Sequence, residues 1–146
     1  MNTLNKDAGN IYRLLLQAGF NETYSKWITA QSAHETANFT SDLYKNNLNA
    51  FGMTYQGQKT ALGEKNGFAF YHDWRESVND YRRLFKSYGI VSIGTVENFV
   101  KFLKSMKYFE APVSEYLAGV KGFLNLYFPG GELHEDLLIH GGGGTW

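Results

Sequence analysis

The sequence predicts a single, mainly helical α+β domain with a small β-hairpin wing. Three observations carry this. Five stretches place apolar residues at helical spacing. One interval, residues 53–72, is punctuated by glycines and has no helical period. The chain has 146 residues, enough to bury one core and too few for two.

Taken in order, Ile11, Leu14, Leu15 and Ala18 make the first apolar face, and Gly19 closes that helix. The second helix is expected from Glu22 to Ala37 with Asn21 as its N-cap. Between 53 and 72, short alternating runs rich in Thr, Tyr, Gln and Phe are bounded by Gly57, Gly63 and Gly67, which reads as a hairpin or small sheet. Trp74, Val78, Tyr81, Phe85 and Tyr88 then restore a helical stripe that Gly89 ends. Val96, Phe99, Val100, Leu103 and Met106 form another. Val113, Tyr116, Leu117, Val120 and Leu124 form the last, with Pro112 suited to a first turn. From Pro129 onward the pattern dissolves. We therefore expect a domain over residues 1–130 and a C-terminal extension over 131–146. Its end, His140-Gly-Gly-Gly-Gly-Thr-Trp146, reads as a flexible tail.

Composition excludes several function classes. Acidic and basic residues balance at a formal net charge of zero, so there is no electrostatic case for binding nucleic acid. The chain has no cysteine, so neither a disulfide framework nor thiolate chemistry is available. No His pair has a convincing metal spacing, since His134 and His140 flank an apolar run without a cluster, and no cofactor motif is present. No run is long enough to span a membrane. The N-terminal Met-Asn-Thr-Leu-Asn-Lys-Asp carries no apolar core of a secretory signal. Aromatics make up 16% of the chain, which suits either a dense core or a sugar-binding groove.

The stretch with chemical potential is Trp27 to Phe39. On a helix, Tyr24, Ile28, Gln31 and Glu35 share one stripe, so a face that should be buried ends in a carboxylate. A charge there is costly unless it is paired or keeps its proton. Desolvation raises a carboxyl's pKa, so a half-buried Glu35 can hold a proton near neutral pH and donate it. The alternative is a surface glutamate at a fraying helix end.

Three pieces in order define a larger pattern: Ala30-Gln-Ser-Ala-His-Glu-Thr-Ala-Asn-Phe39, Asn46-Asn-Leu-Asn-Ala-Phe-Gly-Met53, and Phe70-Tyr-His-Asp-Trp-Arg-Glu-Ser-Val-Asn-Asp-Tyr81. Together they resemble the glucosaminidase family of peptidoglycan hydrolases, of the glycoside hydrolase family 73 type, within the lysozyme-like superfamily. The resemblance covers roughly residues 8 to 128. It implies a lysozyme-like helical domain with Glu35 as the general acid that protonates the leaving glycosidic oxygen. For the second catalytic group it points to a hairpin glutamate. Glu64 is the only acidic residue between Asp42 and Asp73, although it could equally be a solvated turn residue beside Lys65. Asn47, Phe51 and Gly52 match positions lining the substrate groove, or else brace the catalytic helix. Tyr71 and Tyr81 match the third motif, where a core role is the alternative. Tyr108 stands where relatives carry a groove-facing tyrosine loop, but Glu110-Ala-Pro follows here in place of the family's Ala-Thr-Asp.

The expected function is hydrolysis of β-1,4 bonds of peptidoglycan glycan strands, as an endo-β-N-acetylglucosaminidase that acts as a monomer. The setting expected is a phage lysin or a virion-associated enzyme that reaches the cell wall on lysis or in a particle. Muramidase or lytic transglycosylase action on the other bond is the alternative within the same fold. A catalytically idle wall-binding or virion structural protein is the alternative of another class.

Overall fold

A computed structural model describes residues 3–87 and 93–138. Tyr88, Gly89 and the glycine tail lie outside the described residues. Among those described, six α-helices and one two-stranded sheet follow in the order α1 (Asp7–Gln17), α2 (Glu22–Glu35), α3 (Asp42–Lys45), β1 (Gly63–Lys65), β2 (Phe68–Phe70), α4 (Trp74–Ser87), α5 (Val96–Ser105) and α6 (Val113–Tyr127).

Helix α2 is the centre. Its start is fixed by Asn21, whose side-chain oxygen accepts a bond from the Tyr24 N–H at 2.8 Å. It packs against α1 on one side and most extensively against α6 on the other. Enclosure on several faces explains its composition: Ile28, Ala30 and Ala33 are fully buried, and so are Thr29, Gln31 and Ser32. The buried hydroxyls stay satisfied by bonding backbone carbonyls, Thr29 to Ser25 at 2.7 Å and Ser32 to Ala50 at 2.5 Å.

The aromatic surplus fills the core. Phe39, Tyr44, Phe51, Tyr81, Phe85, Phe99 and Tyr127 are each almost wholly buried. Tyr81 stacks on Phe51 with ring centroids 4.2 Å apart and lies 4.6 Å from Phe85. Such contacts add about 0.5–1.5 kcal/mol each beyond simple burial.

The hairpin is real and short. β1 and β2 pair antiparallel, with Gly63 opposite Phe70, Glu64 opposite Ala69 and Lys65 opposite Phe68. Asn66 and Gly67 make the turn, both with positive φ, 55° and 86°. That is the Asn-Gly turn whose twist matches paired strands. Thr54 bridges to Phe68 on the other side of β2, so the 53–54 segment lies along the sheet as a partial third strand.

The structure differs from the sequence expectation at one helix end and adds one element. Helix α2 stops at Glu35 rather than Ala37, because Ala37, Asn38 and Phe39 all take left-handed backbone (φ 51°, 57° and 65°). The short α3, capped by the Ser41 side chain, lies between the first two motifs, where the sequence pattern marks no helix. Beyond residue 130 the extension first packs back on the body. The His134 N–H bonds the Tyr127 carbonyl at 2.7 Å, and Leu137 is buried against α1, its carbonyl close to Gly9. The whole is a lysozyme-like helical body with a small β wing.

Candidate active site

Glu35 occupies the last residue of α2, half-buried beneath α6. The Tyr116 hydroxyl on α6 donates to Glu35 Oε2 at 2.6 Å. Burial pushes the Glu35 carboxyl above the ordinary carboxylate range, and the Tyr116 bond offsets part of that rise by stabilising the charged form. The second oxygen, Oε1, faces Gly52: a Cβ there would lie 3.1 Å from it. Gly52 also has φ +68°, so both the backbone and the close approach call for glycine. One oxygen is thus held by α6, and the other is directed at the loop that borders the open cleft.

Tyr116 is itself tightly held. It is 3% exposed, stacks face to face on Phe109 at 3.8 Å and meets the His34 ring edge-on at 4.6 Å. His34 thus meets the same tyrosine that bonds Glu35. Burial lowers the His34 pKa, which favours the neutral ring. The Gln31 amide, one turn before Glu35, lies beside the Tyr116 hydroxyl and accepts a bond from Tyr81. Sequence reasoning placed Tyr116 only on a core face. Nothing local marked it, because its partner is 81 residues away.

The three sequence motifs converge as successive layers of support. Asn47 is 2% exposed and donates to the Lys65 carbonyl at 2.9 Å, so its amide straps the hairpin to the body. The Asn49 amide does the same for Met53 and Ala69, at 2.9 and 3.0 Å. Phe51 is fully buried on Tyr81, and only its carbonyl reaches outward, accepting from the Tyr108 hydroxyl at 2.6 Å. Tyr71 is also buried, with its hydroxyl near the Asp80 carboxylate. Asn47, Phe51 and Tyr71 therefore stand as bracing in this conformation, with no side chain on the cleft. Gly52 and Tyr108 do line it. The cleft, about 370 Å³, runs between the 52–58 segment and the Met106–Tyr108 turn.

Glu64 is exposed on β1, with no hydrogen bond or ion pair to another described residue. Its cross-strand partner Ala69 is buried, and paired residues leave the sheet on the same face, so Glu64 projects from the face turned toward the body. It nevertheless sits two strand spacings from the 53–54 segment, about 10 Å. The structure does not bring it against Glu35 as it brings Tyr116. Among the described residues no cluster of His, Asp or Glu could hold a metal ion.

What this arrangement can do chemically is donate a proton from Oε1 of a carboxyl whose other oxygen is bonded by Tyr116, beside the Gly52 edge of a cleft. Curated proteins and solved structures give no match. The family model described as glucosaminidase, mannosyl-glycoprotein endo-beta-N-acetylglucosaminidase, matches residues 15–127, which span all three motifs, Glu35 and Tyr116. The chain belongs to the glucosaminidase family and is a glycoside hydrolase acting on glycans.

Proposed function

We propose that this enzyme is an endo-β-N-acetylglucosaminidase that cuts the N-acetylglucosaminyl β-1,4 bond of peptidoglycan, with Glu35 as the general acid. The observation that carries the reading is the desolvated Glu35 carboxyl, oriented by Tyr116 and open toward Gly52. The acid protonates the leaving oxygen from Oε1 while the sugar gains oxocarbenium character. Glu64 would approach as the second group only by movement of the hairpin over the glycan, which its exposed strand and Asn-Gly turn permit.

The separation of Glu64 from Gly52 favours a second reading of the same site. In it the substrate's own acetamido group or hydroxyl assists, and Glu35 is the only carboxylate required. Muramidase or lytic transglycosylase action follows from that variant. We place the enzyme in a phage setting, as a lysin or virion-associated protein acting on the bacterial wall.

Digestion of purified peptidoglycan with mass spectrometry of the products tests the reading. Reducing N-acetylglucosamine ends are expected. Reducing muramic ends would move the assignment to muramidase, and anhydro ends to transglycosylase. Glu35→Gln should leave the fold intact and lower clearing of wall suspensions by roughly 10²–10⁴-fold, the worth of general acid help. Wild-type clearing by that variant would remove Glu35 from the mechanism.

A further inference from the structure

The cleft beside Gly52 has a second wall of different character, formed by Met106, Lys107 and Tyr108. We propose that this cleft is a subsite for a carboxylate-bearing sugar of the glycan, and that Lys107 sets this specificity by pairing with the carboxylate. The proposal rests on the peptidoglycan reading above.

The first support is the backbone. Helix α5 ends in a paired-bond cap, with Lys107 N–H to the Lys104 carbonyl at 2.9 Å and Tyr108 N–H to the Leu103 carbonyl at 3.0 Å. The residue between these bonds is left-handed, and glycine is its usual occupant. Here it is Lys107, at φ 60°. A long cationic side chain thus stands at a position where the backbone disfavours any side chain, and it stands on the cleft.

The second support is the use made of every other charge nearby. Lys104, three residues earlier, spends its ammonium inside the loop, bonding the Glu110 and Ala111 carbonyls at 2.8 and 2.9 Å and lying over the Phe109 ring. Asp80 borders the cleft but is 3% exposed, paired to Arg83 at 2.5 Å and bonded by the Thr60 N–H. The Tyr108 hydroxyl is taken by the Phe51 carbonyl, and Gln58 is bonded to Thr54 and Gln56. Lys107 is exposed and has no ion pair or hydrogen bond from its ammonium to any described residue. Within the cleft it is the cation left for a ligand, among the described residues.

Chemistry then selects the ligand. An N-acetylglucosamine unit is uncharged and gains little from an ammonium. The alternating sugar of peptidoglycan carries a lactyl ether whose carboxyl is either free or extended into a stem peptide with carboxylates of its own. An ammonium at the edge of a partly enclosed cleft attracts such a group and is indifferent to its absence. The cleft volume lies within the range of about 300–1,000 Å³ that takes a small-molecule-sized group.

The test compares wild type, Lys107→Gln and Lys107→Arg on three substrates. These are intact peptidoglycan, peptidoglycan stripped of stem peptides by an amidase, and uncharged β-1,4 N-acetylglucosamine oligomers. Lys107→Gln should lower kcat/KM on the carboxylate-bearing glycans about fivefold relative to the oligomers, mostly through KM. Lys107→Arg should recover most of that, and added salt should close the gap. A deficit on stripped glycan identifies the lactyl carboxyl, and a deficit on intact glycan alone identifies the peptide; either supports the subsite. Equal loss on charged and uncharged glycans, or no loss on any, overturns it. Pelleting of Glu35→Gln and Glu35→Gln/Lys107→Gln proteins with insoluble peptidoglycan and with chitin gives the same comparison without turnover. If wild type releases no saccharide from peptidoglycan, the proposed function falls. A Lys107-dependent preference for peptidoglycan over chitin in the pellets would then still sustain the subsite, and its absence would sink that too.

Discussion

Tyr116→Phe isolates the hydrogen bond that opposes burial at the Glu35 carboxyl. The ring is kept, so its stacking on Phe109 at 3.8 Å and its edge contact with His34 at 4.6 Å persist. Only the hydroxyl is lost, and with it the 2.6 Å bond to Glu35 Oε2. A hydrogen bond to a charged group is worth about 1.5–3 kcal/mol. If half of that orients the carboxyl for donation, kcat falls by roughly 3- to 13-fold. The pH dependence gives the sharper signature. The bond stabilises ionised Glu35, so its removal leaves burial unopposed and pushes the carboxyl further above the ordinary range. An acid must hold its proton to act, so activity falls as pH rises through that pKa. In the variant this alkaline limb moves upward, and the deficit against wild type shrinks as pH increases. Initial rates on labelled peptidoglycan across pH 4–9 would show it. A variant with wild-type kcat and an unmoved alkaline limb would refute the view that Tyr116 positions Glu35.

Three further outcomes follow from the same geometry. Burial raises Glu35 above its unfolded value, so its contribution to stability is complete below the unfolded value and is lost as pH rises through the folded one. Glu35→Gln should therefore raise Tm by about 2–4 °C at pH 7–8, with the gain vanishing near pH 4, as thermal melts would read; a constant difference would contradict this. Glu64→Gln should cut kcat severely with little change in KM if the hairpin delivers that carboxylate in the transition state, whereas unchanged steady-state kinetics and identical products would leave the chemistry to Glu35 and the substrate. The left-handed turn after Glu35 is held by Asn38, which accepts from the Tyr127 hydroxyl and donates to the Thr3 carbonyl at 2.7 Å. Asn38→Ala removes both links from a strained turn, and should cost about 2–3 kcal/mol in chemical denaturation; a loss below 0.5 kcal/mol would show the turn holds without them.

Much of this molecule is written locally. The apolar spacing of α1, α4, α5 and α6 is strong enough to read directly, since each buries one face. Asn21 and Thr95 cap helices by bonds that span three residues, and the Asn66-Gly67 turn requires nothing beyond its own backbone. Helix α2 was legible from its Asn21 cap and the stripe Tyr24, Ile28, Gln31 and Glu35, although burial on several faces blurs its amphipathic pattern. The exact end of α2 was not legible, because Ala37 and Phe39 have no preference for the left-handed conformation they adopt. Thr36, Asn38 and Tyr127 hold them there, and Tyr127 comes from the far end of the chain.

The candidate site divides along the same line. Glu35 was visible in sequence because a carboxylate ending a buried stripe is an anomaly that helical periodicity exposes. Gly52 was visible because its motif demands a residue without a side chain. Whether Asn47, Phe51 and Tyr71 face a ligand or a core was undecided by sequence, and packing turned all three inward, where their polar atoms and rings serve the hairpin and Tyr81. Tyr116 and Lys107 had no local mark at all. Their meaning comes from what lies opposite each, a carboxyl 81 residues earlier and the wall of a cleft. Sequence alone determined the fold class and singled out Glu35, because both rest on patterns within one turn or one motif. The tertiary structure decided how the acid is held and what borders it, because those contacts join α2 and the 46–58 segment to α5 and α6, at separations no local pattern encodes.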